Sequence, residues 1–584
     1  MLVQFSQRLA ALVGGQRRSS SADGVCLAAI TPSSLPAKHP AWLVLLVSAW
    51  LATVCNVALW REVGSLSSSA GLRGWMFILA FGVIVAAGNV AVLSLLTWGR
   101  ATKAVLVSFV LMAAFGSYFM LNYGIVIDSS MLTNVLQTDV REAGDLLNWR
   151  LPATVLALAA PPLWWVLRQP IRRLGVLRHL AHNVGLLLAA VVVLVAALLL
   201  VFQDFASTMR NHTQLRYLIN PLNSVYALVH LASKPLRMDT STLLPLGRDA
   251  QLGASYAGQA QPPLLMLVVG ETARSVNFGL NGYTRNTTPL LSARTDVISA
   301  RNAWSCGTST AASLPCMFSH LGREGFEGRK ANFESLMDVL HHAGLAVLWV
   351  DNQSGCKGIC DRVAQASTSQ EKDPELCPAG ECPDTIMLKN LEAQIAALPA
   401  EQRARGVVVV LHQMGSHGPA YFKRSSKAQK AFGPECTSNA LQECGQEQVV
   451  NAYDNSIVAT DAFLHTTIEW LQARSAQAAT GMVYVSDHGE SLGEGNIYLH
   501  GLPYRIAPDV QKQVPWITWL SPAMQARQHI STGCLQKELA DKPISHDAYF
   551  HSVLGLMDVQ STVYQSSQDI YAPCRSVPTA KASS

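Results

Sequence analysis

Charge is scarce in this chain. Asp, Glu, Lys and Arg make up 14% of its 584 residues, against about a quarter in an ordinary soluble domain. Apolar residues make up 49%, and mean hydropathy is +0.21. That balance exceeds the average for a soluble enzyme, and the length exceeds what a single core can hold. No internal repeat is visible, which excludes a solenoid or a propeller. The tail before Trp42 has no compact cleavable signal. A twin-arginine signal at Arg17-Arg18 is a weak alternative, because the first apolar run begins too far downstream and more such runs follow.

Those apolar runs start near Trp42, Trp75, Ala104, Leu151 and Val184 and end near Trp60, Trp98, Tyr123, Leu167 and Phe202. Each is close to the ~20 residues that cross a bilayer as a helix. Pro152, Pro161 and Pro162 interrupt the fourth, which membrane helices tolerate. Charge sets the orientation. Arg8, Arg17, Arg18 and Lys38 precede the first span, Arg100 and Lys103 follow the second, and Arg168, Arg172, Arg173 and Arg178 follow the fourth. The loop after the third span carries Asp128, Asp139, Glu142 and Asp145. By the positive-inside rule the N-terminus is cytoplasmic and an odd number of crossings puts the C-terminal part outside. The inside segments hold more positive charge than the chain's net +5, so the basic balance reflects topology and does not predict a nucleic-acid partner.

The cysteines agree with export. Apart from Cys26 and Cys55, all fall beyond residue 300, and disulfides are expected in an oxidising compartment. Short spacing favours Cys306–Cys316, Cys356–Cys360, Cys377–Cys382 and Cys436–Cys444, leaving Cys534 with Cys574. The expected organisation is a cytoplasmic tail (1–40), a five-helix membrane domain (41–203) and a connector with amphipathic, surface-lying helices (204–261). A catalytic domain (262–575) and a short tail (576–584) complete it. From Leu264 onward apolar strands alternate with helical stretches. Strands are expected at Leu264 to Val269, Ala346 to Val350, Val407 to Leu411, Val483 to Val485 and Pro515 to Leu520. Helices are expected at Phe333 to His342, Asp384 to Leu398 and Val449 to Arg474. This pattern predicts a doubly wound α/β domain. In the last helix Asp461 interrupts an apolar stripe, as a turn-facing or a functional residue.

Two of those strands end on metal-type ligands. Leu264 to Val269 runs into Gly270-Glu271-Thr272, and Val483-Tyr484-Val485 runs into Asp487-His488-Gly489-Glu490. Strand C-termini are the usual place for a site in a parallel sheet. Two carboxylates and an imidazole suit Zn²⁺ or a similar divalent ion, although each acid singly also reads as a cap or turn former. Glu490 is close enough to orient a ligand or to hold a second zinc. A hydroxyl beside such a metal can attack phosphorus. Thr308, Ser309 and Thr310 are candidates, and chemistry alone does not choose among them. In Asp351-Asn352-Gln353-Ser354-Gly355-Cys356-Lys357, Ser354 and Lys357 can bind a phosphoryl oxygen. Asn134, Thr138 and Glu142 are spaced i, i+4, i+8, one face of a helix. No Cys/Ser-x-Pro-x-Arg context surrounds Cys306 or Cys316, which argues against a sulfate ester hydrolase.

Several blocks resemble the phosphoethanolamine transferases of Gram-negative inner membranes, in the lipid A branch that includes the mobile colistin-resistance enzymes. They are Glu271-Thr272-Ala273-Arg274, Asn281 to Pro289, Cys306-Gly307-Thr308-Ser309-Thr310, Pro315 to Ser319, His412 to Pro419 and Ala452-Tyr453-Asp454-Asn455. The resemblance spans about Trp42 to Leu520. It implies an alkaline phosphatase/sulfatase-like fold for the outer domain, with Thr310 as nucleophile and as a zinc ligand beside Glu271, Asp487 and His488. It also implies active-site roles for His417 and His500, a less certain one for His412, and the pairings Cys306–Cys316 and Cys436–Cys444. Asn134, Thr138 and Glu142 would approach the site from the membrane side, with Glu142 facing the donor's ammonium. The implied reaction moves phosphoethanolamine from phosphatidylethanolamine to a lipid A phosphate, which lowers surface negative charge and protects against polymyxins. A sister transferase acting on core sugar or periplasmic glucan, and a non-catalytic metal-binding sensor or scaffold, are the rival readings.

Overall fold

The computed structural model describes residues 37–66, 71–138, 140–377 and 381–576, with backbone alone at 140–142, 236, 237, 240 and 241. Residues 1–36, with Cys26, and the side chain of Glu142 therefore lie outside the described residues. Among the described residues, five helices are long and apolar enough to cross a membrane: Pro40–Ser65, Gly71–Leu96, Gly99–Asn122, Arg150–Arg168 and Val176–Leu200. The fourth continues through Pro161 and Pro162. The second packs against the first and the fifth, and the third against the fourth, and Leu43, Leu51, Val110, Ala113 and Val166 share one buried cluster. The fifth turns Val192 and Leu199 outward, 66% and 69% exposed. A large apolar face is stable only against lipid. A reporter that is active only outside the cytoplasm should therefore be active when fused after Ser584 and silent when inserted between Arg168 and Arg178. The reverse pattern would overturn the five-span arrangement.

Helices follow the fifth span at Phe202–Asn211 and Leu222–Ala232. The outer-loop helix differs from its expectation. Helix α1 (Ser129–Gln137) ends before Thr138, and a separate short helix starts at Val140. Thr138 sits at the C-cap with an extended backbone, and its hydroxyl donates to the Asn134 carbonyl at 2.7 Å. Asn134, Thr138 and Glu142 thus do not share one continuous helix.

The outer domain is built on a sheet of eight strands. In chain order these are β1 (Pro263–Gly270), β2 (Val297–Trp304), β3 (Ala346–Asp351), β4 (Ala364–Ser367), β5 (Val407–His412), β6 (Ala479–Ser486), β7 (Gln513–Leu520) and β8 (Ile544–Ser545). They lie in the spatial order β8-β2-β7-β6-β1-β5-β3-β4. β1 is parallel to both β5 and β6, so the strand carrying Glu271 and the strand carrying Asp487 are neighbours that end at the same edge. These central strands are buried on both faces, which explains their unbroken Val and Leu runs. β7 runs antiparallel to both β6 and β2, a reversal not visible in an apolar run.

Helix α2 (Thr310–Met317) follows the loop after β2. Helix α3 (Gln446–Gln472) buries Tyr453, Ile457, Leu464, Ile468 and Leu471. Asp461 on α3 has a structural task, accepting from the Leu290 and Leu291 amides at 2.9 Å each.

The outer domain is docked on the span ends. The Tyr498 amide donates to the Tyr123 carbonyl at 2.9 Å, and Arg150 pairs with Glu443 at 3.0 Å. Asp145 takes Lys423 at 2.7 Å and Arg424 at 3.3 Å.

All five expected disulfides form, Cys534–Cys574 included, and Cys55 is a buried free thiol. Loop-closure entropy ranks them. Cys534–Cys574 closes 40 residues and Cys306–Cys316 only 10, worth roughly 4 and 3 kcal/mol respectively. Replacing both cysteines of the longer loop by serine should lower the melting temperature more and activity less than replacing Cys306 and Cys316. Equal losses of activity would remove any special role for the shorter loop.

Candidate active site

β1 and β6 deliver Glu271, Asp487 and His488 to one point, and all three are fully buried. A ligand atom from each lies within 4.8 Å of the others. Thr310 comes to the same point from the first residue of α2. Its hydroxyl lies 3.3 and 3.0 Å from the two Glu271 carboxylate oxygens and 3.4 Å from His488 Nε2. The two neighbouring hydroxyls behave differently. Thr308 donates to the Leu502 carbonyl at 2.6 Å, and Ser309 occupies the N-cap position without a side-chain cap bond.

His488 Nδ1 donates to the Gly489 carbonyl at 2.9 Å, which leaves Nε2 as the lone-pair nitrogen facing the acids. Burial holds this imidazole below its ordinary pKa. Asp487 Oδ1 accepts the Thr272 and His488 amides at 3.3 and 2.7 Å, while its buried Oδ2 has no hydrogen-bond partner. Asp487 Oδ2, buried without a hydrogen-bond partner, is costly in a dry site unless a cation meets it. The donor set fits a divalent cation.

A second group adjoins the first. His500 Nδ1 donates to Glu490 Oε2 at 2.7 Å, and the Tyr421 hydroxyl donates to Glu490 Oε1 at 2.6 Å. The His488 and His500 rings are 4.4 Å apart and the His500 and His417 rings 5.4 Å. His488, Glu490 and His500 also meet closely enough to share an ion. Burial, reinforced by His500, holds His417 well below the usual imidazole range. His417 and His500 open onto an apolar pocket with Asn134, Thr138, Phe119, Ile127 and Met131, so the third span and the loop after it form a wall of the site.

The remaining candidates stand farther out. Lys357 Nζ donates to the Ser354 hydroxyl at 2.8 Å and to the Gln137 carbonyl of α1 at 3.1 Å. His412 Nδ1 bonds Asp351 Oδ2 at 2.8 Å, and it reaches the site only through intermediaries. Asp351 Oδ1 accepts the Gln353 amide at 2.9 Å, and the Gln353 side chain donates to Glu271 at 3.2 Å.

Sequence reasoning missed Gln353, Tyr421 and His546. His546 Nε2 donates to the Ser486 carbonyl at 3.0 Å, and its Nδ1 accepts the Cys306 amide at 3.1 Å. Burial lowers its pKa to about 4, so it is a neutral strut between β6 and the Thr310 loop. No spacing rule could have paired it with residues 60 and 240 positions away.

A mixed α/β sheet whose central strand ends bring two acids, a histidine and a hydroxyl together defines the alkaline phosphatase and sulfatase superfamily, here joined to a membrane domain. Residues 263–559 match the Sulfatase family, and residues 84–236 match the family described as phosphoethanolamine transferase EptA/EptB. Over 542 residues the chain is 38% identical to phosphoethanolamine transferase EptA of Salmonella typhimurium, covering 92% of this chain and 97% of that one. It is 35% identical to phosphatidylethanolamine transferase Mcr-1 of Escherichia coli over 89% of this chain and 95% of that one. The solved integral membrane lipooligosaccharide phosphoethanolamine transferase A of Neisseria meningitidis superposes with a TM-score of 0.87 at 33% identity, covering 93% of this chain and all of that one. The chain belongs to the phosphoethanolamine transferase family.

Proposed function

We propose that this transferase moves phosphoethanolamine from phosphatidylethanolamine to a phosphate of lipid A in the Gram-negative inner membrane, through a covalent intermediate on Thr310. The observation that carries this reading is the Thr310 hydroxyl, 3.0 Å from Glu271 and 3.4 Å from His488 Nε2. Zinc held by Glu271, Asp487, His488 and Thr310 would supply Lewis acidity and offset phosphoryl charge. In the first displacement the Thr310 hydroxyl gives up its proton to solvent as the Thr310 Oγ–P bond forms, the P–O bond to glycerol breaks, and diacylglycerol leaves. His500, oriented by Glu490, supplies a proton to the departing glycerol oxygen. The hydrogen bond from Thr310 to Glu271 orients the hydroxyl before attack. In the second displacement an acceptor phosphate oxygen attacks the same phosphorus, the Thr310 Oγ–P bond breaks, and the acceptor's proton ends on Thr310 Oγ.

The setting supports lipid substrates. Asn134 and Thr138 line the apolar pocket that His417 and His500 open onto, and the ammonium of the donor headgroup is the partner for Glu142. Attaching that ammonium lowers lipid A's net negative charge, so polymyxin resistance follows. Mass spectrometry of lipid A from cells with and without the protein tests the reading. A mass increase of one phosphoethanolamine on lipid A is expected. The same increment on core sugar or periplasmic glucan alone would transfer the reading to a sister enzyme, and none anywhere would favour a non-catalytic protein.

A further inference from the structure

A cavity of about 870 Å³ lies at the joint between the spans and the outer domain, and it takes no part in the chemistry above. Arg61 and Glu62 line it from the end of the first span, and Met120 and Leu121 from the end of the third. These span ends are on the side of the outer domain, which puts the cavity at the level of the outer-leaflet headgroups. Ile497, Leu502 and Arg505 of the outer domain line it as well.

The charges in this cavity are not matched. Elsewhere the joint sets acid against base, as in Arg150–Glu443 and Lys423–Asp145. Here Arg61 comes from the membrane domain and Arg505 from the outer domain, and among the described residues no hydrogen bond or ion pair engages either. Glu62 is the one acid among the described residues of the lining, and it accepts from the Gln214 side chain at 3.4 Å. Two arginines against one glutamate leave one surplus positive charge, divided between the two domains that the joint holds together. Like charges gathered in one cavity repel, whereas an anion shared by both arginines draws the domains together. The planar fork of a guanidinium suits a phosphate, and basic pockets beside membrane spans take anionic headgroups. Met120, Leu121, Ile497 and Leu502 add the apolar lining that a glycerol backbone and the first methylenes of its chains require.

We propose that this cavity binds an anionic phospholipid of the outer leaflet, with its phosphodiester held by Arg61 and Arg505, and that the lipid braces the docked outer domain. The lipid is neither donor nor acceptor, and the site stands whether or not the transfer reading does. A phosphodiester with an uncharged headgroup carries one negative charge and balances the surplus, whereas a zwitterionic phospholipid carries none. The brace bears on the active site through one hairpin, in which Ser491–Leu492 pairs with Tyr498–Leu499. Asn496, Ile497 and Tyr498 line the lipid cavity, and Leu499 and His500 line the apolar pocket described above. A lipid seated at the joint therefore contacts the far side of the wall that carries His500.

The test uses the full chain in detergent micelles, given equal amounts of phosphatidylglycerol and phosphatidylcholine with the same acyl chains. Native mass spectrometry should find one phosphatidylglycerol retained, with a preference of roughly tenfold over phosphatidylcholine. The melting temperature should rise with added phosphatidylglycerol and then saturate, because the lipid binds the docked state. The double variant Arg61→Gln, Arg505→Gln should lose both the preference and the rise. Without lipid it should melt no lower than the unmodified protein, since the repulsion is gone. Arg61→Lys with Arg505→Lys should keep part of the preference, because the charges remain while the forks are lost. A phosphatidylglycerol carrying a photoreactive diazirine beside its phosphate should label the unmodified protein on the peptides around Arg61 or Arg505, a readout that needs no variant. Equal retention of the two lipids, an undiminished preference in the glutamine variant, or labelling confined to other segments would overturn the site. An equal rise in melting temperature with inorganic phosphate would also overturn it, since a free anion would then suffice.

Discussion

Thr310→Ala is expected to abolish transfer, by about 10⁴-fold or more, and to abolish the covalent intermediate with it. The three hydroxyls of the Thr308-Ser309-Thr310 run are not equivalent. Thr308 is engaged by the Leu502 carbonyl, whereas Thr310 reaches both Glu271 and His488. With donor present and acceptor withheld, peptide mass spectrometry should find phosphoethanolamine on Thr310 within the Cys306-to-Cys316 segment. The alanine variant should still bind zinc, because Glu271, Asp487 and His488 remain. Thr310→Ser should keep partial activity, since the hydroxyl survives without the branched methyl that restricts its rotamer. Modification on Thr308 or Ser309, or transfer by the alanine variant, would displace Thr310 from this role.

Metal removal should produce the second large effect, in stability as well as in turnover. Glu271 and Asp487 are both fully buried, and without a cation their charges face each other in a dry pocket. A metal bound at 1,000 times its dissociation constant adds about 4 kcal/mol to folding. For a domain of this size that corresponds to a shift of roughly several degrees in melting temperature. Chelation should therefore lower the melting temperature and stop transfer, and zinc should restore both. Glu271→Gln should make the melting temperature insensitive to chelator. An unmodified protein that melts identically with and without chelator would argue against a metal at these residues.

The membrane spans were readable because each is a long apolar run, and the acid-bearing strands because each apolar run stops abruptly on a polar residue. β2 was not readable. Its residues alternate between the core and the outside, and Ser299, Arg301 and Asn302 break the apolar pattern. The break in the outer-loop helix at Thr138 was hidden as well, because the i, i+4, i+8 spacing suits a helix whether or not the chain bends. The candidate ligands could be named because two strand ends announce them. Their supports could not. Gln353 reaches Glu271 across 82 positions and Tyr421 reaches Glu490 across 69, and local sequence carries no trace of such contacts.

The docking of the outer domain on the span ends has a practical consequence for inhibitor discovery. Phe119, Ile127 and Met131, which help to wall the pocket beside His417 and His500, all come from the third span and the segment after it. An exported fragment that starts near Pro263 would keep Thr310 and the acidic strand ends yet present that pocket with one side open to water. Compounds selected against such a fragment would be chosen for a cleft that the intact enzyme does not display. Compounds shaped to the closed pocket would score poorly in the same screen. Screening in a bilayer, with the whole chain, samples the surface that a drug will meet.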